Sequence, residues 1–118
     1  MVKNILIADD EEIMRRFLKE VLGMKYNICG EAKDGEEAVK KVEDLDPDLV
    51  LLDIQMPKMD GYEAFSQIKK VDPDQNIIFC TSVDKDPSEK LDSKNEPEDY
   101  ILKPFKRDKL IRKINEVF

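Results

Sequence analysis

The chain has 118 residues, 41% of them hydrophobic and 40% charged, which fits one domain (residues 1–118) with a single core. Its formal net charge of −7 argues against direct binding to DNA or to a lipid surface, since both attract basic proteins. The sequence contains no histidine, which excludes Ser–His and Cys–His nucleophiles and every imidazole metal site.

The first elements are a strand, a helix and a second strand. The apolar run over residues 5–8 predicts a buried strand that ends in Asp9 and Asp10. Residues 11–23 show helical spacing, and Gly23 is a natural stop. The apolar residues at this spacing are Ile13, Phe17, Leu18, Val21 and Leu22. Residues 26–32 predict the second strand.

The middle of the chain repeats this order. Asp34 is a candidate cap for a helix that ends before Pro47, with an apolar face of Ala38, Val39, Val42 and Leu45. Residues 49–52 are all apolar, which is typical of a strand covered on both faces, and Asp53 follows them. After a turn at Asp60-Gly61, a third helix carries Tyr62, Phe65, Ile68 and Val71.

The last third contains the least regular segment. Residues 77–80 predict a buried strand that ends in Thr81 and Ser82. Between residues 86 and 96 a helix is indicated, but Leu91 is its one large apolar residue, so we expect it to be short, mobile or displaced. Residues 100–102 predict a fifth strand that ends in Lys103. A final apolar helix face consists of Leu110, Ile111, Ile114, Val117 and Phe118.

Strand and helix alternate five times, which predicts an α/β fold with right-handed crossovers and helices on both faces of the sheet. A doubly wound five-stranded parallel sheet in the order 2-1-3-4-5, as in flavodoxin-like folds, suits this length. Cys29 and Cys80 lie in strand-like runs, and we interpret them as buried, reduced thiols. No signal peptide or membrane-spanning run is evident, so we expect a soluble, cytoplasmic protein without membrane insertion.

The predicted strand order brings polar side chains to one edge of the sheet. The first, third, fourth and fifth strands are contiguous, and their tips carry Asp9, Asp10, Asp53, Thr81 and Lys103. Three ionised carboxylates need compensating charge, because like charges raise each other's pKa values. Oxygen ligands favour a hard divalent cation, Mg²⁺ or Mn²⁺, and Lys103 can offset a further charge.

These groups together favour phosphoryl transfer to Asp53. A carboxylate can attack phosphorus to form an aspartyl phosphate. The metal and Lys103 would neutralise the phosphoryl oxygens, and the hydroxyl of Thr81 can bond one of them.

Four motifs resemble the receiver domain of two-component response regulators along the whole chain: Ile7-Ala8-Asp9-Asp10-Glu11, the run from Leu51 to Gly61, Thr81-Ser82, and the run from Asp99 to Phe105. The resemblance implies that Asp53 is the phosphoacceptor. It also implies that Asp10 is a direct Mg²⁺ ligand beside Asp53, that Asp9 acts mostly through water, and that Gln55 offers its backbone carbonyl.

The same resemblance implies roles for the end of the chain. Thr81 and Tyr100 match the family's switch pair, although Tyr100 can also be read as a half-buried strand aromatic. Lys103 matches the lysine that contacts the phosphoryl group, and Lys103-Pro104 matches a cis peptide bond. Residues 94–98 depart from the family, whose members often carry small residues and a Gly-Ala pair there.

The resemblance further implies partners: a histidine kinase or histidine-containing phosphotransfer protein as the donor, and a downstream target protein. We expect no direct nucleic-acid binding, a monomer or weak phosphorylation-dependent dimer, and self-phosphorylation and self-dephosphorylation rather than turnover catalysis. Alternatives are the receiver fragment of a longer regulator, an Mg²⁺-dependent phosphatase and a flavodoxin-like cofactor binder. The phosphatase would favour an acid where Gln55 stands, and the cofactor binder a Ser/Thr/Gly-rich loop after the first strand.

Overall fold

A computed structural model of the chain describes residues 2–82 and 97–118. Within these ranges lie five strands: β1 (Asn4–Ala8), β2 (Asn27–Ala32), β3 (Leu49–Leu52), β4 (Ile77–Thr81) and β5 (Asp99–Leu102). The same ranges contain four helices: α1 (Glu12–Leu22), α2 (Gly35–Leu45), α3 (Gly61–Val71) and α4 (Arg107–Val117). The predicted helix over residues 86–96, expected to be short, mobile or displaced, lies outside the described residues.

All the strand pairs are parallel, and the sheet order is β2-β1-β3-β4-β5, which confirms the prediction. Every residue of β3 and β4 is buried, as is β1 after its first residue. Their continuous apolar runs therefore belong to strands covered on both faces. The edge strands β2 and β5 are mostly half-buried.

The core is divided by the sheet into two clusters. One contains residues of α1 and α4, including Leu18, Leu22, Leu110 and Ile114. The other contains residues of α2 and α3, including Ala38 and Phe65, whose ring centroid lies 5.5 Å from that of Phe79 in β4. Helices therefore pack on both faces of the sheet, as predicted.

The helix ends follow local hydrogen-bonding chemistry. Asp34 caps α2 as predicted, since its carboxylate accepts a hydrogen bond from the Glu37 N–H at 2.8 Å. Asp60, predicted as a turn residue, caps α3 by accepting from the Glu63 N–H at 2.9 Å. Gly23 ends α1 as predicted but with right-handed backbone angles. A Cβ atom at Gly23 would lie 2.5 Å from the Lys19 carbonyl oxygen, so this position requires space rather than a left-handed turn.

Four of the apolar residues that formed the predicted helix patterns are exposed: Ile13, Leu45, Val71 and Phe118. Ile13 is 83% exposed. A turn of about 100° per residue places it well away from the stripe formed by Leu18, Val21 and Leu22. The other three lie at the ends of their helices or just beyond. Apolar spacing alone overestimates the width of the buried face there.

The remaining expectations concern the thiols and the membrane. Cys29 and Cys80 are both free, and Cys80 is buried as expected, whereas Cys29 in edge strand β2 is half-buried. The helices found in residues 2–82 and 97–118 are too short or too polar to cross a membrane.

Candidate functional site

The carboxyl edge of the sheet holds the predicted site residues in place through backbone hydrogen bonds. Asp53 follows β3, and its N–H donates to the Ala8 carbonyl of β1 at 2.9 Å. Lys103 follows β5, and its N–H donates to the Thr81 carbonyl of β4 at 2.7 Å. Parallel pairing thus continues one residue past the strands, and both side chains start from the rigid sheet.

Three carboxylates meet at this edge. Asp9, Asp10 and Asp53 each offer an oxygen atom, and these atoms lie within 4.8 Å of one another. Asp9 and Asp53 are buried, at 1% and 5% exposure, whereas Asp10 is exposed. A set of carboxylate oxygens, one of them open to solvent, fits the ligand preference of a hard divalent cation that keeps part of its water shell.

Lys103 lies between two of these carboxylates. Its Nζ atom is 2.7 Å from Asp9 Oδ2 and 3.6 Å from Asp53 Oδ2. Burial by itself would lower the pKa of Lys103, but the hydrogen bond to Asp9 and the charge of Asp53 outweigh it, and the pKa is raised. Lys103 is therefore a fixed positive charge beside Asp53.

Among the carboxylates of residues 2–82 and 97–118, Asp53 has the pKa that is raised furthest from its ordinary value. Burial raises its pKa to about 6, and the charges of Asp9 and Asp10 add to this effect. The charge of Lys103 opposes it, as does a 2.8 Å hydrogen bond from the Ile54 N–H to Asp53 Oδ1. A cation placed beside Asp53 would favour its ionised form.

Asp9 and Asp10 differ in their surroundings. The Asp9 carboxylate accepts hydrogen bonds from the Glu11 N–H at 2.9 Å and from Lys103 at 2.7 Å. Both of its oxygens are therefore engaged within the protein, while Asp10 faces solvent. This asymmetry agrees with a direct role for Asp10 and an indirect one for Asp9, an assignment that stays a prediction.

A cavity of about 670 Å³ opens beside Asp53. Its lining consists of Asp10, Glu11, Met14, Asp53, Gln55, Ser82, Lys103 and Pro104. Glu11, Met14 and Pro104 were not among the predicted site residues. The spacing of Met14 could have revealed it, because Met14 lies about one helical turn after Asp10.

The predicted switch residues, Thr81 and Tyr100, are not among the residues that line this cavity. Thr81 is fully buried as the last residue of β4, and it is Ser82, one residue later, that lines the cavity. The half-buried Tyr100 ring packs against the core cluster shared by α2 and α3, with Lys113 Nζ 6.0 Å from its centre. Half-burial fits the simpler interpretation of Tyr100 as a strand aromatic, and the switch roles of both residues stay predictions.

The loop after Asp53 is held tightly against β3. The Gly61 N–H donates to the Ile54 carbonyl at 2.7 Å, and a Cβ atom at Gly61 would lie 2.2 Å from the Asp53 carbonyl oxygen. Lys58 within this loop adopts a left-handed backbone angle, with φ of 68°. Across the cavity, the Lys103-Pro104 peptide bond is cis, as the resemblance implied.

Comparisons with known proteins agree with this geometry. A family model for the response regulator receiver domain matches residues 5–115. The chemotaxis protein CheY of Halobacterium salinarum is 42% identical over 117 residues, which span 99% of this chain and 98% of that protein. CheY of Thermotoga maritima is 38% identical over 118 residues, with 99% and 98% covered.

A solved structure is also similar to this chain. One chain of the CheX–CheY–BeF₃–Mg²⁺ complex from Borrelia burgdorferi superimposes with a TM-score of 0.92 at 34% identity. The match covers 98% of this chain and 89% of that one.

Proposed function

The chain belongs to the receiver domains of response regulators, the phosphoryl-accepting modules of two-component signalling, and we propose that Asp53 is its phosphoacceptor. The observation that carries this assignment is the placement of the Asp53 carboxylate. It lines the cavity, lies 3.6 Å from the Lys103 ammonium, and shares a 4.8 Å oxygen cluster with Asp9 and Asp10.

The chemistry follows from these groups. An oxygen of Asp53 attacks the phosphorus atom of the donor, and the bond from phosphorus to the donor breaks with its electron pair leaving on the donor. Lys103 offsets negative charge on the transferred group, and the Ile54 N–H orients the carboxylate. The product is an aspartyl phosphate, and each chain accepts one phosphoryl group rather than acting as a turnover enzyme.

A divalent cation, Mg²⁺ or Mn²⁺, would be held by Asp9, Asp10 and Asp53 together with the carbonyl of Gln55. When bound, it supplies positive charge for the phosphoryl oxygens. The oxygen-only donor set supports this assignment. The Borrelia complex supports it too, because Mg²⁺ is one of its named components together with a similar chain.

The partners follow from the family. The phosphoryl donor is a phosphohistidine on a kinase or phosphotransfer protein, and the output is altered affinity for a downstream protein. The Borrelia complex, named for CheX and CheY, supports a protein as the target. We propose that this signalling takes place in the cytoplasm, without direct DNA binding, and that the chain is a monomer or a weak phosphorylation-dependent dimer.

Labelling with a small acyl phosphate tests the phosphoacceptor. With Mg²⁺ present, intact mass should show one added phosphoryl group, and Asp53→Asn should abolish it because the amide is a poor nucleophile. Asp60→Asn is a matched control in the same loop, since Asn also caps a helix well. Labelling retained in Asp53→Asn would contradict the assignment, and steady release of phosphate without an accumulated phosphoryl adduct would favour the phosphatase alternative.

Mg²⁺ titration of two variants by calorimetry tests the ligand roles. Asp9 is already engaged by Glu11 and Lys103, so Asp9→Ala should weaken Mg²⁺ binding by about tenfold, as expected for an indirect contact. Asp10→Ala removes a direct ligand and should weaken binding further. Equal effects of the two substitutions would show that the ligand roles are assigned incorrectly.

A further inference from the structure

The turn between β1 and α1 is held by an arginine that reaches back from the helix. We propose that Arg15 is a positioning residue for the cation site, fixing the peptide group between Asp9 and Asp10. The inference rests on the proposed function, because it concerns how well those two carboxylates are presented to a metal.

The contact that carries the inference is made to backbone. Arg15 Nη1 donates to the Asp9 carbonyl oxygen at 2.8 Å. That carbonyl belongs to the peptide unit that joins Asp9 to Asp10, and peptide units are planar. The preceding peptide unit is held as well, because the Asp9 N–H donates to the Ala32 carbonyl at 2.9 Å. The peptide units on both sides of the Asp9 Cα are thus fixed, which restricts the direction in which the Asp10 side chain leaves the backbone.

Arg15 is itself held by β2. Its Nε atom donates to Glu31 Oε1 at 3.2 Å, and its side chain is only 16% exposed. The other Glu31 oxygen accepts from Lys19 Nζ at 3.0 Å. Although burial opposes it, the contacts with Lys19 and Arg15 lower the pKa of Glu31, so the carboxylate stays ionised. The planar guanidinium can thus serve Glu31 and the Asp9 carbonyl together, a geometry that a lysine ammonium does not reproduce.

Arg15 can affect cation binding in two ways, and its removal would change the affinity in opposite directions in the two cases. As a positive charge near the site, Arg15 would repel a divalent cation, and its removal would tighten binding. As a positioning group, it preorganises Asp10, and its removal would weaken binding. The neighbouring Arg16 provides the control: it lies one position further along α1, is 69% exposed in its side chain, and pairs only loosely with Glu12 at 3.6 Å.

The experiment measures Mg²⁺ affinity by calorimetry for the wild type, Arg15→Ala, Arg15→Lys and Arg16→Ala. Arg15→Ala and Arg15→Lys should each weaken binding by about tenfold, as second-layer contacts to metal ligands commonly do. Arg16→Ala should leave the affinity unchanged. Because Arg15→Lys keeps the charge and loses the planar fork, it isolates geometry, and it carries the test if Arg15→Ala does not fold.

A second readout separates positioning from a purely structural role. Labelling of Asp53 by acyl phosphate should approach the wild-type rate in Arg15→Lys once Mg²⁺ is saturating, so that the loss appears in the half-saturating Mg²⁺ concentration. Unchanged or tighter Mg²⁺ binding in both Arg15 variants would overturn the inference while leaving the phosphoacceptor assignment intact. A wild-type chain that binds no Mg²⁺ and accepts no phosphoryl group would overturn both.

Discussion

The two ends of the central sheet bury polar side chains in opposite ways. At the carboxyl edge, the carboxylates of Asp9, Asp10 and Asp53 lie together, and one ammonium, that of Lys103, contacts Asp9 and Asp53. At the amino edge, one buried ammonium, that of Lys69, is surrounded mainly by oxygen acceptors. The first cluster has more negative charge than the protein compensates, while the second is close to balanced.

The amino-edge cluster shows how a balanced polar group is built. Lys69 is 7% exposed, and its Nζ atom donates to the Gln75 carbonyl at 2.6 Å. It also lies 4.0 Å from Glu98 Oε1 and 5.6 Å from the centre of the Phe65 ring. The other Glu98 oxygen accepts from the Ile77 N–H. These contacts join α3 to the starts of β4 and β5.

The difference shows that burial of charge serves two purposes in one small domain. The amino edge uses a buried cation to tie three elements together, and its removal should cost stability. The carboxyl edge holds excess negative charge in place, and its neutralisation should increase stability. A divalent cation would supply that neutralisation, so we expect the carboxyl edge to lower the stability of the metal-free protein.

The largest expected stability change comes from Lys69→Ala. This substitution leaves the Gln75 carbonyl without its buried donor and Glu98 without its ion-pair partner, and we expect a loss of about 2–4 kcal/mol in the free energy of unfolding. Urea denaturation measures it. Lys70→Ala, at the exposed neighbouring position, should stay within about 0.5 kcal/mol. Similar small effects for both variants would contradict the contrast between the two ends.

Asp53→Asn should change the free energy of unfolding in the opposite direction, and so stabilise the metal-free protein. The pKa of Asp53 is raised to about 6, above the usual value of about 3.9, so its contribution to stability is present at low pH and lost as the pH rises through 6. The neutral amide avoids this loss. Allowing for solvent screening, we expect Asp53→Asn to be more stable than wild type by about 1–2 kcal/mol at neutral pH.

The pH dependence of that difference provides the check. Thermal unfolding of the wild type and Asp53→Asn without metal should show that the variant is more stable at neutral pH. This difference should shrink towards pH 4, where wild-type Asp53 is protonated. Saturating Mg²⁺ should raise the melting temperature of the wild type more than that of the variant. A gain that does not depend on pH would contradict charge repulsion as its source.

The smallest expected effect tests whether burial, rather than ion pairing, makes Lys69 important. Asp99 and Lys113 also pair near the amino edge, at 3.0 Å, but their side chains are 29% and 22% exposed. Asp99→Asn should therefore cost only about 0.2–1 kcal/mol. The same urea denaturation measures it, and a loss as large as that of Lys69→Ala would show that exposure is not the deciding variable.

Much of the fold and the site could be predicted because the information is local in sequence. The apolar runs that form β1, β3 and β4 end directly in Asp9, Asp53 and Thr81, and a parallel sheet brings such ends together. The direction in which a side chain points at the end of a strand or helix could not be predicted. Thr81 and Ser82 are adjacent hydroxyls, yet the first is buried and the second lines the cavity.

Hydrogen bonds from a long side chain to a backbone carbonyl six residues away were also beyond prediction. The hydrogen bond from Arg15 to the Asp9 carbonyl produces no periodic pattern and no motif, because any carbonyl in reach can accept it. The same holds for Lys69 and the Gln75 carbonyl. In each case the sequence predicts a solvent-exposed basic side chain on a helix. Only the three-dimensional structure shows that the side chain donates to a backbone carbonyl instead.

The burial of Cys80 gives the protein a reporter of its own. This thiol lies in the interior strand β4 beside Thr81, is 2% exposed, and has its pKa raised to about 12 by burial. The thiolate is the form that attacks alkylating reagents, so Cys80 reacts only when this part of the sheet opens. Its rate of alkylation therefore measures how often the strand beneath the site separates from its neighbours, with no label added to the chain.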